Sequence, residues 1–140
     1  MATAIHGIAT LAGLACAMVS AALMLRFKTD EQALKRGRTA RRIAPFTWLA
    51  FIALIISGIV LAITGGKDYN VYVFGAKHLL VLVLLVDALL IHFRYFPRFF
   101  KQIGTPNFTQ TYSMMRRIGM LSVSCWTLIL VLSVLLGKLS

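Results

Sequence analysis

Four stretches of apolar residues, each of membrane-spanning length, dominate the sequence and are separated by short polar segments. They lie at residues 3–25, 46–64, 72–93 and 118–137. A bilayer core of roughly 30 Å needs about 20 residues of α-helix to cross it. The pattern therefore predicts an all-α integral membrane protein, a four-helix bundle with up-down topology, in which residues 1–140 form a single transmembrane domain.

The composition also favours a membrane protein over a soluble domain. Hydrophobic residues make up 59% of the 140 residues, and the mean hydropathy is +0.83. The first window is also similar to the apolar part of a signal peptide. No basic segment precedes it, however, and it is longer than such a part usually is. We therefore expect a spanning helix there, with no room left for a soluble domain.

The net charge of +11 is concentrated in two loops. Residues 26–45 contain seven of the 15 Lys and Arg residues, and residues 94–117 contain five. Charge of this size also suits nucleic-acid binding, but its distribution is that of the positive-inside rule. We expect both loops to be cytoplasmic, both termini to be extracytoplasmic, and the chain to lie in the cell inner (plasma) membrane. Anionic lipid headgroups are then a sufficient partner for the charge, without nucleic acid.

The loop between the first two windows has signals of local structure. Thr29 followed three residues later by Gln32 has the form of a capping box. It predicts a short cytoplasmic helix that continues through Lys35 and is broken near Gly37. Pro45 suits the first turn of the second spanning helix, where its missing N–H has no hydrogen bond to lose.

Several ionisable residues interrupt the apolar windows, and such residues are costly in lipid unless they have a partner or a function. His6 lies just inside the predicted outer end of the first helix, and His78 lies just inside the predicted outer end of the third. In an up-down bundle they would share a membrane depth, so they could act together as axial ligands of a haem or join a metal site. Lys77 would then pair with a haem propionate or reach lipid headgroups.

His92 and Asp87 lie deeper in the third window. His92 follows His78 by about 21 Å along a helix, where no second histidine shares its depth, so we interpret it as an interfacial residue. Asp87 falls on the side of the helix opposite His78. It is either protonated, bonded to Ser57, Thr64 or Ser122 of a neighbouring helix, or part of a proton relay.

Small residues and cysteines leave two interpretations each. The helix face that carries His6 also carries a stripe of small residues, from Ala9 through Gly13 to Ser20. Such a stripe is typical of close helix packing, but it also leaves room for a flat macrocycle. Cys16 and Cys125 are most simply small hydrophobic side chains. Thiolate ligation of a metal is the alternative.

The polar anchors of these windows resemble those of CopD-like copper-resistance membrane proteins and of the related HemJ-type protoporphyrinogen oxidases. The similarity begins in residues 5–9 and continues in residues 57–61. It is clearest in residues 72–81, where Gly and Ala precede a Lys that leads a leucine-rich helix. That helix closes with Arg and Pro in residues 94–98, and an Arg pair at 116–117 precedes the last window.

The resemblance implies that His6 and Lys77 are functional and that the chain binds b-type haem, as in the HemJ-type branch. His78 stands where that branch usually has an apolar residue, and it makes a His6–His78 ligand pair possible. We therefore predict a haem-binding redox protein that exchanges electrons with a quinone or another membrane subunit. Two alternatives remain: a CopD-like copper transport component that holds copper at these histidines, and an accessory subunit of a larger membrane complex without a cofactor.

Overall fold

The computed structural model describes residues 2–25, 28–64 and 71–139, and this part of the chain is helical without any strand. Four long helices form its framework, and a π-helix and a short helix lie between the third and the fourth of them. In chain order the elements are α1 (Ala2–Leu23), α2 (Asp30–Thr64), α3 (Val71–Leu89), the π-helix (Leu90–Tyr95), α4 (Phe96–Gln102) and α5 (Phe108–Leu139).

The prediction of apolar helices long enough to cross a membrane is confirmed. Four candidate spans occur among the described residues, at Thr3–Leu23, Asp30–Thr64, Tyr72–Gln102 and Phe108–Leu135. The third span shows that α3, the π-helix and α4 follow one another as a single rod. The chain is thus a multi-pass membrane protein by helix length and composition.

The prediction of a break near Gly37 is wrong, because α2 runs without interruption from Asp30 to Thr64. Gly37 is buried, and a β-carbon added to it would lie only 2.6 Å from Cε1 of Phe99. The glycine therefore permits close packing of α2 against α4. Pro45 accordingly lies inside α2 and not in its first turn.

The capping box predicted at the start of α2 forms in part, because the Gln32 side chain pairs with the Lys28 amide and not with the Thr29 amide. The Gln32 N–H donates to Oγ1 of Thr29 over 3.2 Å, and the Lys28 N–H donates to Oε1 of Gln32 over 3.2 Å. These bonds satisfy amides that have no partner within the helix. They start α2 well before the apolar window begins.

The last helix also begins earlier than predicted, at Phe108 and not near residue 118. Gly104, with a φ of 81°, turns the chain between α4 and α5, a backbone conformation that favours glycine. Thr111 then donates a hydrogen bond to Oε1 of Gln102 over 2.5 Å, and Tyr112 donates one to the Leu25 carbonyl over 2.6 Å. Much of the segment 94–117, predicted as a basic loop, is therefore helical, and hydrogen bonds join the start of α5 to Gln102 and Leu25.

Two groups of buried side chains hold the helices together. The central cluster consists of Ala9, Phe51, Leu54, Leu84, Cys125, Trp126 and Ile129. The basic-end cluster consists of Met24, Ala33, Ala40, Phe96, Phe99 and Met115.

The small-residue stripe of α1 serves close packing in the central cluster. Ala9 is buried there, and the Trp126 indole lies so close to Gly13 that an added β-carbon would overlap it. The packing interpretation of the stripe is therefore confirmed at these two positions.

Candidate functional site

Three buried polar side chains from three helices meet at one place, and we call them the His6–Ser57–Lys77 cluster. His6 comes from the start of α1, Ser57 from the end of α2 and Lys77 from the start of α3. Nδ1 of His6 lies 2.9 Å from Oγ of Ser57, and Nε2 of His6 lies 2.7 Å from Nζ of Lys77. Each of the three residues is exposed by 9% or less.

The hydrogen bonds of Ser57 determine which nitrogen of His6 carries the proton. Oγ of Ser57 lies 2.6 Å from the Ala53 carbonyl, to which it donates its one proton. Towards His6 the serine can then only accept, so we assign the imidazole proton to Nδ1. Nε2 keeps its lone pair and accepts a hydrogen bond from Lys77.

Thr10 on α1 and Gly58 on α2 are close neighbours of His6. Thr10, one turn further along α1, donates a hydrogen bond to the His6 carbonyl over 2.8 Å. On α2, Gly58 faces the ring, and a β-carbon added there would be 3.5 Å from Cε1 of His6. Any side chain larger than alanine at this position would therefore compete with the imidazole for space.

His78 is not brought to this cluster, although the sequence placed it at the same depth as His6. Its side chain is exposed, Nδ1 donates to the Phe74 carbonyl over 2.8 Å, and its ring lies 4.0 Å from that of Phe74. Successive residues on an α-helix are turned by about 100°. Lys77 therefore faces the interior of the bundle while His78 faces away from it, and the lysine takes the place predicted for the second histidine.

Asp87 is also buried, but it lies outside the cluster. It accepts a hydrogen bond from Oγ of Ser122 on α5 over 3.3 Å. Ser122 is one of the three partners predicted for it. Ser57 bonds within the cluster instead, and Thr64 donates to the Val60 carbonyl. A role of Asp87 as a proton relay stays a prediction.

His92 has a feature that the sequence did not predict. It lies in the π-helix, its ring packs against Trp48 and Phe93, and its Nδ1 atom is buried without a hydrogen-bond partner. The ring also lines a cavity. The sequence gives no sign of a π-helix here, since its apolar pattern suits a continuous α-helix equally well.

Metal ligands do not converge in the part of the chain that the structure describes. No group of three or more His, Cys, Asp or Glu side chains is arranged to hold an ion there. Cys16 and Cys125 are both free thiols. The described residues thus supply no preformed cage of three or more such ligands.

Comparison with known proteins found no family model, no curated protein and no solved structure that matches this chain. The resemblance to the CopD-like and HemJ-type proteins stays a prediction based on the residues described above. The functional argument therefore depends on the chemistry of the buried polar groups.

Proposed function

We propose that this chain is a redox protein of the cell inner (plasma) membrane that binds b-type haem near its outer face, between α1 and α3. The observation that carries the proposal is the buried His6–Ser57–Lys77 cluster. Histidine and lysine are costly inside a membrane and are kept there mainly for function. The same two residues are those that the family resemblance marks as functional.

Among the three residues of the cluster, His6 is the one that would hold the iron of a haem. Ser57 holds Nδ1 of His6, and such a bond to the far nitrogen is typical of ligating histidines because it orients the ring. His6 would hold the iron through Nε2, the nitrogen that Lys77 now contacts at 2.7 Å. Lys77 would have to leave that nitrogen, and its amine could then pair with a propionate. His78 adds no second ligand in the observed arrangement.

The haem supplies single-electron chemistry, and the protein residues determine how it is held and how dry it is. His6, Ser57 and Lys77 are each almost fully buried, so little of the imidazole is accessible to water. The proposed electron partner is a membrane quinone or another membrane subunit.

The visible absorption spectrum of the purified protein, expressed with ample haem, tests this proposal. The wild type should show the bands of a b-type haem, and His6→Ala should remove them. His78→Ala is the matched control: it removes a histidine next to Lys77 that faces away from the cluster, and the bands should remain. Lys77→Ala should lower haem occupancy without abolishing it.

Two outcomes would overturn the proposal, and each would favour a different alternative function. A colourless and metal-free protein would favour an accessory subunit of a larger membrane complex. A colourless protein that carries copper by metal analysis would favour a copper transport component.

A further inference from the structure

A cavity of about 120 Å³ lies in the part of the bundle between the central and basic-end clusters. All four long helices and the π-helix contribute to its wall. The wall is largely apolar, and its main surfaces are Ala17, Ala21, Trp48, Phe51, Leu84 and Trp126. The cavity is separate from the His6–Ser57–Lys77 cluster, because neither His6 nor Lys77 lines it.

One polar atom in this wall has no partner. Nδ1 of His92 is the buried side-chain nitrogen or oxygen that makes no hydrogen bond within the described residues. Burying such an atom without a partner is unfavourable. His92 lines the cavity, so a ligand oxygen there would supply the missing partner once the imidazole ring turns this nitrogen towards it.

The backbone supports a ligand-binding role for His92. The π-helix from Leu90 to Tyr95 contains His92 near its middle, and the N–H of Phe96 donates to the Ile91 carbonyl, five residues earlier. Single π-helical turns within α-helices are less stable than the α-helix they replace and occur frequently at functional sites.

A second polar group reaches the cavity from α5. Ser122 lines it and donates a hydrogen bond to the buried carboxyl group of Asp87 over 3.3 Å. Arg116 also contributes to the wall. Apolar walls with a few polar groups are typical of small-molecule sites.

The volume of the cavity restricts the class of ligand. A cavity of about 150 Å³ lined by apolar side chains holds one benzene molecule, so this somewhat smaller one has room for no more than one six-membered ring. It is far too small for a haem.

The ring of the ligand must also carry an oxygen that can form a hydrogen bond with Nδ1 of His92, whichever tautomer the histidine adopts. A quinone carbonyl accepts a hydrogen bond from N–H, and the hydroxyl of the corresponding quinol donates one to the bare nitrogen. We propose that this cavity binds the ring of a membrane quinone or quinol, with its oxygen on Nδ1 of His92.

Tryptophan fluorescence tests the proposal directly. The chain has two tryptophans, Trp48 and Trp126, and both line the cavity. The full-length protein in lipid vesicles is titrated with a benzoquinone that has a short alkyl tail. Binding in the cavity should give quenching that saturates, whereas quinone dissolved in the bilayer gives quenching that rises linearly.

Variants identify the site of the saturating part. His92→Leu removes the hydrogen bond and should weaken binding by about tenfold, and His92→Asn should restore much of the affinity. Gly119→Leu should abolish saturation, because Gly119 lines the cavity and a β-carbon there meets nothing within 4 Å. His78→Leu, a matched change in a histidine of α3 outside the cavity, should bind as the wild type does.

Linear quenching in the wild type would overturn the proposal. So would saturating quenching that neither His92→Leu nor Gly119→Leu alters, which would place the quinone elsewhere or leave the cavity to water. The titration is repeated in the His6→Ala protein, because bound haem would also quench the indoles. A failure of the haem proposal therefore leaves this test intact.

Discussion

The direction of single side chains decides which of the predicted residues act together. His6, Lys77, His78 and Asp87 were all identified from the sequence as ionisable groups in apolar windows, and three of them are buried. The pairing of Lys77 with His6 was not predicted, because depth along a helix can be counted from sequence spacing whereas the facing of one helix towards another cannot. Ser57 was considered only as a partner for Asp87, since a serine in an apolar window has many possible roles.

The hydrogen bond from His6 to Ser57 should stabilise the protein measurably. Ser57→Ala removes this acceptor of the Nδ1–H of His6 and leaves the Leu54 carbonyl as the remaining backbone partner of the ring, so the loss should cost about 1 kcal/mol. Ser124→Ala is the matched control, because that exposed hydroxyl bonds only to the Met120 carbonyl of its own helix. Thermal unfolding in detergent compares the two, and equal unfolding temperatures would contradict the assigned bond.

Asp87 should tolerate loss of its charge but not its reversal. Asp87→Asn keeps an oxygen that can accept from Ser122, so the protein should accumulate in the membrane as the wild type does. Asp87→Lys places a long cation in a buried position and should prevent accumulation, which immunoblotting of membrane fractions measures. If Asp87→Asn folds but abolishes a proton-coupled activity, Asp87 acts as a relay and not only as a structural residue.

At the scale of helices, the apolar windows predicted the four spans but not their extensions into the basic segments. The windows are found by hydropathy, and the arginines and lysines of residues 26–45 hide the helix there. A different signal was present: Ala33, Gly37 and Ala40 recur at helical spacing and are all buried in α2. Small residues at intervals of four and three mark one packed face of a helix even when its other faces are charged.

The two glycines of α1 should respond to substitution in opposite directions. Gly13→Ala places a methyl group into the space of the Trp126 indole and should destabilise the protein by about 1–3 kcal/mol. At Gly7 a β-carbon meets nothing within 4 Å, so Gly7→Ala should stabilise the helix by roughly 0.5–1 kcal/mol. Unfolding temperatures of both variants check this, and a loss of stability at Gly7 would contradict the described packing of α1.

For the whole molecule, the orientation in the membrane is a prediction from charge. Twelve of the 15 basic residues lie in the two segments predicted to be cytoplasmic. A reporter fused after Ser140 should therefore read as extracytoplasmic, and one inserted at the exposed Pro106 between α4 and α5 should read as cytoplasmic. Pro106 is preferable to Gly37, because Gly37 is buried within α2. The reverse result at both sites would invert the orientation and move the haem site to the inner face.

The π-helix also sets the direction in which the side chains of α4 point relative to those of α3. It carries one residue more per turn than an α-helix needs, so it offsets the direction in which every later side chain points. Deleting Leu90 would remove this extra residue, so α-helical winding of the rest would leave α4 close to its present direction and Phe99 beside Gly37. The deletion should therefore lower the unfolding temperature by little more than Leu90→Ala does, since both remove the same partly buried side chain. Inserting one alanine after Leu90 would instead turn α4 by about 100°, take Phe99 away from Gly37 and lower the unfolding temperature far more.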